Sequence, residues 1–328
     1  MRKTLIVSAV ALAVAAVPGS ALATGGGGTT ETATVLATSL RGANEVPAGD
    51  ADGAALEFVK VQGDQVSVAV KWRGLDRPTA LHIHQGAKGT NGGVKVDFTK
   101  VLGKAKRHSV TGTVTVKDAA LLDALKSDPG SFYANLHTKQ FPAGAVRGQL
   151  HKVTVAGFDF RGALKNFQAS VVKGEQIYEC KAATGGGWAF AQRDVSAVLG
   201  GRIAHSFVAP NSGTPQWVAP DGSAVTGAVL SRTPNGDGNI AELDLKATQS
   251  GKHHGLLART TEILRLNTVG GARRPVPAHR GRSSGCRTTR TTCSCATDAS
   301  DRSGVLRTTP TGRGRRRLRV SYPRCTRS

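Results

Sequence analysis

His82-Ile83-His84 is the triplet in this chain with the clearest chemical potential. In a strand, alternate side chains share a face, so both imidazoles point one way and Ile83 points into the opposite layer. Two imidazoles on one face are a natural start for a metal site. His137 ends a second strand-like run, Ser131 to His137, and supplies a third ligand if that strand neighbours the first. Glu45 is the candidate carboxylate, either as a ligand or as the partner of an imidazole N–H. The metal such a set implies is copper or zinc. The same residue types also support a structural reading. Glu45, Asn135, Thr138 and Arg147 would then form a self-satisfying polar network, with Arg147 pairing Glu45 bidentately. Redox or hydrolytic catalysis is a third possibility, and the sequence leaves all three open.

Other chemistry is sparse. His205 and Asp221 could be imagined as a catalytic pair, but no Ser sits in a nucleophile-elbow context, so core and turn roles are expected for them. His253-His254 reads as a solvated loop pair. Cys180 is the only Cys in the well-patterned body, while Cys286, Cys293, Cys295 and Cys325 lie near the C-terminus. Cys293-Ser294-Cys295 lacks the spacing of a zinc site. In an exported protein Cys180 would find a disulfide partner. There is no Walker-type loop, no G-x-G-x-x-G between a strand and a helix, and no H-E-x-x-H.

The elements that must position the histidines are strands. Runs at Thr34–Leu40, Ala55–Val61, Gln65–Trp72, Ala80–His84, His108–Val116, Ser131–His137 and Ala145–Val155 are bounded by Gly, Pro, Asp and Asn. Gly63-Asp64 reads as a hairpin turn. One helix is expected over Asp118–Lys126, capped by Asp118 and stopped by Pro129-Gly130. The pattern is that of an all-β sandwich or barrel over residues 32–153. A second β-rich domain is expected over 156–271, from runs at Gly174–Cys180, Trp188–Phe190, Trp217-Val218, Ala224–Leu230, Asn239–Ala247 and Thr261–Leu266. The two halves show no internal repeat.

Both termini differ from this body. Arg2 and Lys3 precede an apolar run, Leu5 to Val17, that is short for a bilayer span, and Ala21-Leu22-Ala23 supplies a small-x-small cleavage pattern. Residues 1–23 are therefore read as a Sec-type signal peptide cleaved after Ala23, and 24–31 as a flexible leader. Secretion follows, with no membrane span after cleavage. The formal net charge of +22 first suggests nucleic acid. From Ala272 to Ser328, however, there are 15 Arg, no Lys and two acids, a net of +13. The other +9 is spread over the remainder, so no specific nucleic-acid surface is expected. Residues 272–328 have too few apolar residues to offset ordering entropy and are expected to be disordered. The preceding body uses 17 Lys and 12 Arg. Arg without Lys points to a reading-frame slip in GC-rich DNA; the competing origin is a genuine tail that binds polyanions.

Leu40-Arg41-Gly42-Ala43-Asn44-Glu45-Val46-Pro47, Leu81-His82-Ile83-His84-Gln85-Gly86 with Asn91-Gly92-Gly93, Tyr133-Ala134-Asn135-Leu136-His137-Thr138 and Phe141 to Leu150 occur in the order and spacing of a CHRD domain. The first half resembles that chordin-type family over roughly 120 residues. Ala145 departs from the family's usual Glu. The resemblance implies a non-enzymatic extracellular binding or scaffold module with a protein or polymer partner. More faintly, the HIH strand resembles the H-x-H copper strand of copper-zinc superoxide dismutase. In the second half, Gly174 to Cys180, Trp188, His205, Trp217, Asp221 to Ser223 and Arg265 to Gly271 resemble a bacterial secreted family of unknown function. That likeness is expected to stop at Gly271.

Overall fold

The computed structural model describes residues 3–6, 32–154, 157–182, 184, 188–272, 292–296 and 326–327. The expected all-β class is what forms, as two sheets. In the first domain the strands are β2 (Thr34–Arg41), β3 (Ala54–Gln62), β4 (Gln65–Arg73), β5 (Pro78–Gln85), β6 (Val94–Asp97), β7 (Ser109–Thr115), β8 (Phe132–Thr138), β9 (Val146–Gln149) and β10 (His151–Lys152), after a leading β1 (Lys3–Ile6) that belongs to the other sheet. Their order is β6-β5-β8-β9-β2-β3-β4-β7, with β10 also on β2. The sheet curls around one core. Leu36 and Leu40 of β2, Val59 of β3, Val68 and Val70 of β4, Leu81 and Ile83 of β5, and Phe132 and Leu136 of β8 all face it.

Local chemistry sets these elements. Gly63 takes φ 56° and closes the tight β3–β4 hairpin, as a two-residue turn requires. Helix α1 (Thr99–Leu102) is a single turn that buries Val101 and Leu102. Helix α2 (Ala119–Ser127) starts at Asp118, whose Oδ1 accepts the Leu121 N–H at 2.9 Å. The run read as one strand from Ala145 to Val155 divides into β9 and β10 because Leu150 turns into the core and its N–H bonds the Phe132 carbonyl. Strand β6 and helix α1 were not expected; both are too short to show periodicity.

The second sheet holds β11 (Phe167–Gln168), β12 (Val171–Ala182), β13 (Trp188–Leu199), β14 (Ile203–Phe207), β15 (Pro215–Val218), β16 (Ala224–Thr233), β17 (Glu242–Gln249), β18 (Thr260–Arg265), β19 (Thr292–Ala296) and β20 (Thr326–Arg327). It runs β11-β1-β18-β17-β16-β15-β14-β13-β12-β19-β20 and is an almost closed barrel. Trp217, Val225, Leu245 and Ile263 fill it. β14 escaped the sequence reading, and β17 begins at Glu242 rather than at Asn239. Of the Arg-rich tail, Thr292–Ala296 adds to the open edge of β12 and Thr326–Arg327 adds to β19. TCSCA is the stretch of the tail free of Arg, Gly and Pro beside an unpaired edge, and such an edge is a template. The rest of the tail lies outside the described residues. The same holds for the signal-peptide reading, apart from Lys3–Ile6, which pairs parallel to β18 and β11.

The domains pack on each other. Phe58 stacks on Phe158 at 5.1 Å, and Leu56 and Ala69 meet Ala163, Leu264 and Leu266. Cys180 is buried and disulfide-bonded. Among the described residues no helix is long and apolar enough to cross a membrane.

Candidate metal centre

β5 and β8 are antiparallel neighbours, with His82 opposite Asn135 and His84 opposite Tyr133. Leu81, Ile83, Ala134 and Leu136 take the core side. The period of two therefore sends His82, His84, Tyr133, Asn135 and His137 to the other face. There the three imidazoles meet: one ring nitrogen from each of His82, His84 and His137 lies within 4.8 Å of the others. Ring centroids are 4.9 Å apart for His82–His137, 5.5 Å for His82–His84 and 6.1 Å for His84–His137.

Outer contacts choose the inward-facing atoms. His84 Nδ1 lies 2.9 Å from the Gly92 carbonyl, and His137 Nδ1 lies 3.0 Å from the Pro142 carbonyl. A carbonyl only accepts, so both Nδ1 atoms carry the proton and both Nε2 atoms keep a lone pair. His84 Nε2 is buried without a hydrogen-bond partner. His137 Nε2 sits 3.1 Å from His82 Nδ1, whose own Nε2 faces Thr99 Oγ1 at 3.3 Å and Asp97 Oδ1 at 3.5 Å. Burial and the neighbouring rings hold His82 below its ordinary basicity, and burial does the same for His84. Both rings are thus neutral at pH 7, the form that donates a lone pair to a metal. A tetrahedral ion with metal–nitrogen bonds of about 2.0–2.1 Å spaces its ligand nitrogens about 3.3 Å apart. The His82–His137 separation of 3.1 Å is close to that spacing, and all three nitrogens lie within 4.8 Å.

His84 is wedged in place. Its ring stacks on Tyr133 at 4.9 Å and 5°, and the Arg147 guanidinium lies over the Tyr133 ring at 4.6 Å. Gly92 bonds both partners, since its N–H donates to the Tyr133 hydroxyl at 3.1 Å. No side chain fits at Gly92: a Cβ there would lie 1.6 Å from the Gln85 carbonyl.

Glu45 does not join the imidazoles. Its Oε2 lies 3.8 Å from Arg147 Nε, while Oε1 is buried without a partner. Burial raises its carboxyl to about 7, against the opposing pull of Arg147. The expected bidentate pair does not form: Arg147 Nε and Nη1 are turned to loop groups, and Nη2 is buried without a partner. Nε donates to the Asn44 carbonyl at 2.7 Å, and Nη1 donates to the Thr90 carbonyl and Asn91 Oδ1 at 3.2 and 2.8 Å. Asn135 lies between the two groups, with its Oδ1 buried and unbonded. Thr138 stands apart: its Oγ1 accepts the Phe141 N–H at 3.1 Å and closes the turn that carries Pro142.

Asp97, Thr99, Tyr133 and the Gly92 and Pro142 carbonyls were not assigned roles from sequence, although Gly92, Tyr133 and Pro142 lie inside the motifs quoted. In the second domain, His205 stacks on Trp217 at 4.5 Å, and Asp221 accepts from Ser223 and Leu256 in a turn. They are a core residue and a turn residue.

The comparisons agree with this division. The family model for the CHRD domain matches residues 36–150, and that for a protein of unknown function, DUF3455, matches residues 195–283. The second match runs past Gly271, where the sequence reading had ended the likeness. No curated protein and no solved structure matches the chain. The histidine cluster therefore lies wholly within a CHRD domain, and the chain joins that domain to a DUF3455 domain of unknown function.

Proposed function

We propose that this is an exported protein whose CHRD domain is a metal-binding module, taking copper or zinc through the imidazoles of His82, His84 and His137. The observation that carries this reading is the convergence of three ring nitrogens within 4.8 Å, with two of the rings turned by backbone carbonyls so that Nε2 faces inward. Such outer-sphere carbonyls fix the tautomer of ligating histidines. Three imidazole ligands leave a fourth position for water or an outside ligand. On this side the cluster is reachable, since Asp97 beside His82 is 61% exposed. Binding rather than turnover is the role these residues support, because Glu45 is committed to the Arg147 side. The partner of the module is an extracellular protein or polymer, and export rests on the leader of residues 1–23.

The test is elemental analysis of protein purified without an affinity tag, followed by titration with Zn²⁺ and Cu²⁺. One metal per chain is expected, and loss of that metal in His82→Ala/His84→Ala. A wild-type chain that binds neither ion at micromolar concentration sinks the proposal. So does a double variant that keeps its metal.

A further inference from the structure

Residues 86–93 connect β5 to β6, and this loop touches the histidine cluster at one end and the second domain at the other. At the cluster end, the Gly92 carbonyl takes the His84 Nδ1 proton, and Thr90 and Asn91 hold Arg147. In the middle, Lys88 reaches across the domain boundary. Its Nζ lies 3.1 Å from Glu242 Oε1 and also donates to Asn235 Oδ1.

Both acceptors are fixed within the second domain. Glu242 is 5% exposed; its Oε1 also accepts the Asn267 N–H at 2.7 Å, and its Oε2 faces His151 Nε2 at 3.5 Å. Asn235 donates through Nδ2 to the carbonyl and hydroxyl of Thr268 at 2.6 Å each. The loop itself is rich in glycine. Gly86, Gly89, Gly92 and Gly93 make up half of it, Gly89 takes φ 80°, and a Cβ at Gly89 or Gly93 would meet nothing within 4 Å. Glycine is the residue that loses most conformational freedom on ordering, so an external tie matters more here than in a stiffer loop.

We infer that the DUF3455 domain positions His84, by holding loop 86–93 through Lys88 on Glu242 and Asn235 so that the Gly92 carbonyl keeps Nε2 as the ligand atom. The inference rests on the metal-binding reading above and assigns the second domain a part in it. Lys88 and Glu242 are positioning residues; their polar partners are Asn235, Asn267 and His151, not the three clustered imidazoles. The tie borders a cleft of about 350 Å³ between the domains, lined also by His151, Gln149 and Asp244. Lys88 is half-exposed beside this cleft, so water can solvate its ammonium when Glu242 is replaced.

The experiment is Zn²⁺ titration of the full chain against a chromophoric chelator, with the Cu²⁺ visible band and electron paramagnetic spectrum as the second readout. Loss of an outer-sphere partner commonly costs 10–100-fold in metal affinity. Lys88 stands one link further out and is half-exposed, so Lys88→Met should weaken binding about threefold to tenfold and shift the Cu²⁺ spectrum. Lys88→Arg should restore both, and Glu242→Gln should reproduce the loss from the other side of the boundary. Should Lys88→Met fail to fold, Glu242→Gln alone decides the matter. Wild-type affinity and an unshifted spectrum in the folded variants overturn the inference and leave the metal site standing. A wild-type chain that binds no metal overturns both.

Discussion

Each domain lays a buried imidazole flat on an aromatic ring, and only one of them gains a candidate site by doing so. His84 on Tyr133 and His205 on Trp217 share the device: near-parallel rings, Nδ1 bonded to a carbonyl at 2.9 Å, and Nε2 buried without a partner. What differs is the company. Strand alternation brings His82 and His137 beside His84, whereas His205 stacks on Trp217 and bonds the Gln216 carbonyl, with Arg265 and Asp194 as its charged neighbours. A buried lone pair is common core chemistry, and convergence is what makes a ligand set. The two cores also conceal opposite groups. Glu57, fully buried opposite Thr38 in the first domain, has neither oxygen bonded and is raised by burial to about 8. His205, in the second, is lowered by burial to about 4. The domains should therefore weaken at opposite ends of the pH scale.

The larger of the two limbs belongs to Glu57. Its folded pKa lies above the unfolded 4.5, so the folded state binds the extra proton between 4.5 and 8. The contribution is whole below pH 4.5 and is lost as pH rises through about 8, with a loss of roughly 5 kcal/mol by pH 9. Glu57→Gln keeps the shape and removes the titration. Stability of the first domain to urea from pH 5 to 9 should fall steeply in wild type and much less in Glu57→Gln, where Glu45, raised to about 7, still titrates. Parallel curves would mean that the carboxyl has a partner after all.

For His205 the sign reverses. Its folded pKa is below the unfolded 6.5, so the unfolded chain binds the extra proton. Stability is whole above pH 6.5 and is lost as pH falls towards 4, by about 3 kcal/mol. The urea midpoint of the second domain should drop over that window, and His205→Gln should remove the drop. Equal acid sensitivity in both proteins breaks the contrast between the domains.

The face shared by His82 and His84 was legible from H-x-H alone, because a strand's period of two is independent of its partners. The nearness of His137 was a guess about which strands are neighbours. Nothing local encodes that β5 pairs β8, and only the CHRD pattern of motifs hinted at it. The Glu45–Arg147 geometry failed for a reason invisible in sequence. Arg147 Nε and Nη1 are oriented by the Asn44 and Thr90 carbonyls and the Asn91 side chain, on two loops far from it in sequence. Asp97 and Thr99 went unnoticed because they belong to β6 and α1, two elements of four residues each. Lys88 has no sequence signal, because its partners Asn235 and Glu242 lie about 150 positions away in another domain.

The smallest effect tests the stack itself. Tyr133 holds His84 by its ring and by its hydroxyl, which takes the Gly92 N–H; Trp217 has no comparable bond, since its Nε1 is buried without a partner. Tyr133→Phe keeps the ring and strands the Gly92 N–H beside an apolar edge, at a cost of about 1 kcal/mol. The urea midpoint of the first domain should fall accordingly, and Zn²⁺ affinity should weaken by a factor of a few as the Gly92 peptide loosens its hold on Nδ1. Trp217→Phe loses packing but no hydrogen bond, so it should lower the second domain's stability and leave Zn²⁺ affinity unchanged. If Tyr133→Phe leaves both stability and affinity at wild-type values, the hydroxyl does not align the Gly92 peptide, and the ring contact alone orients His84.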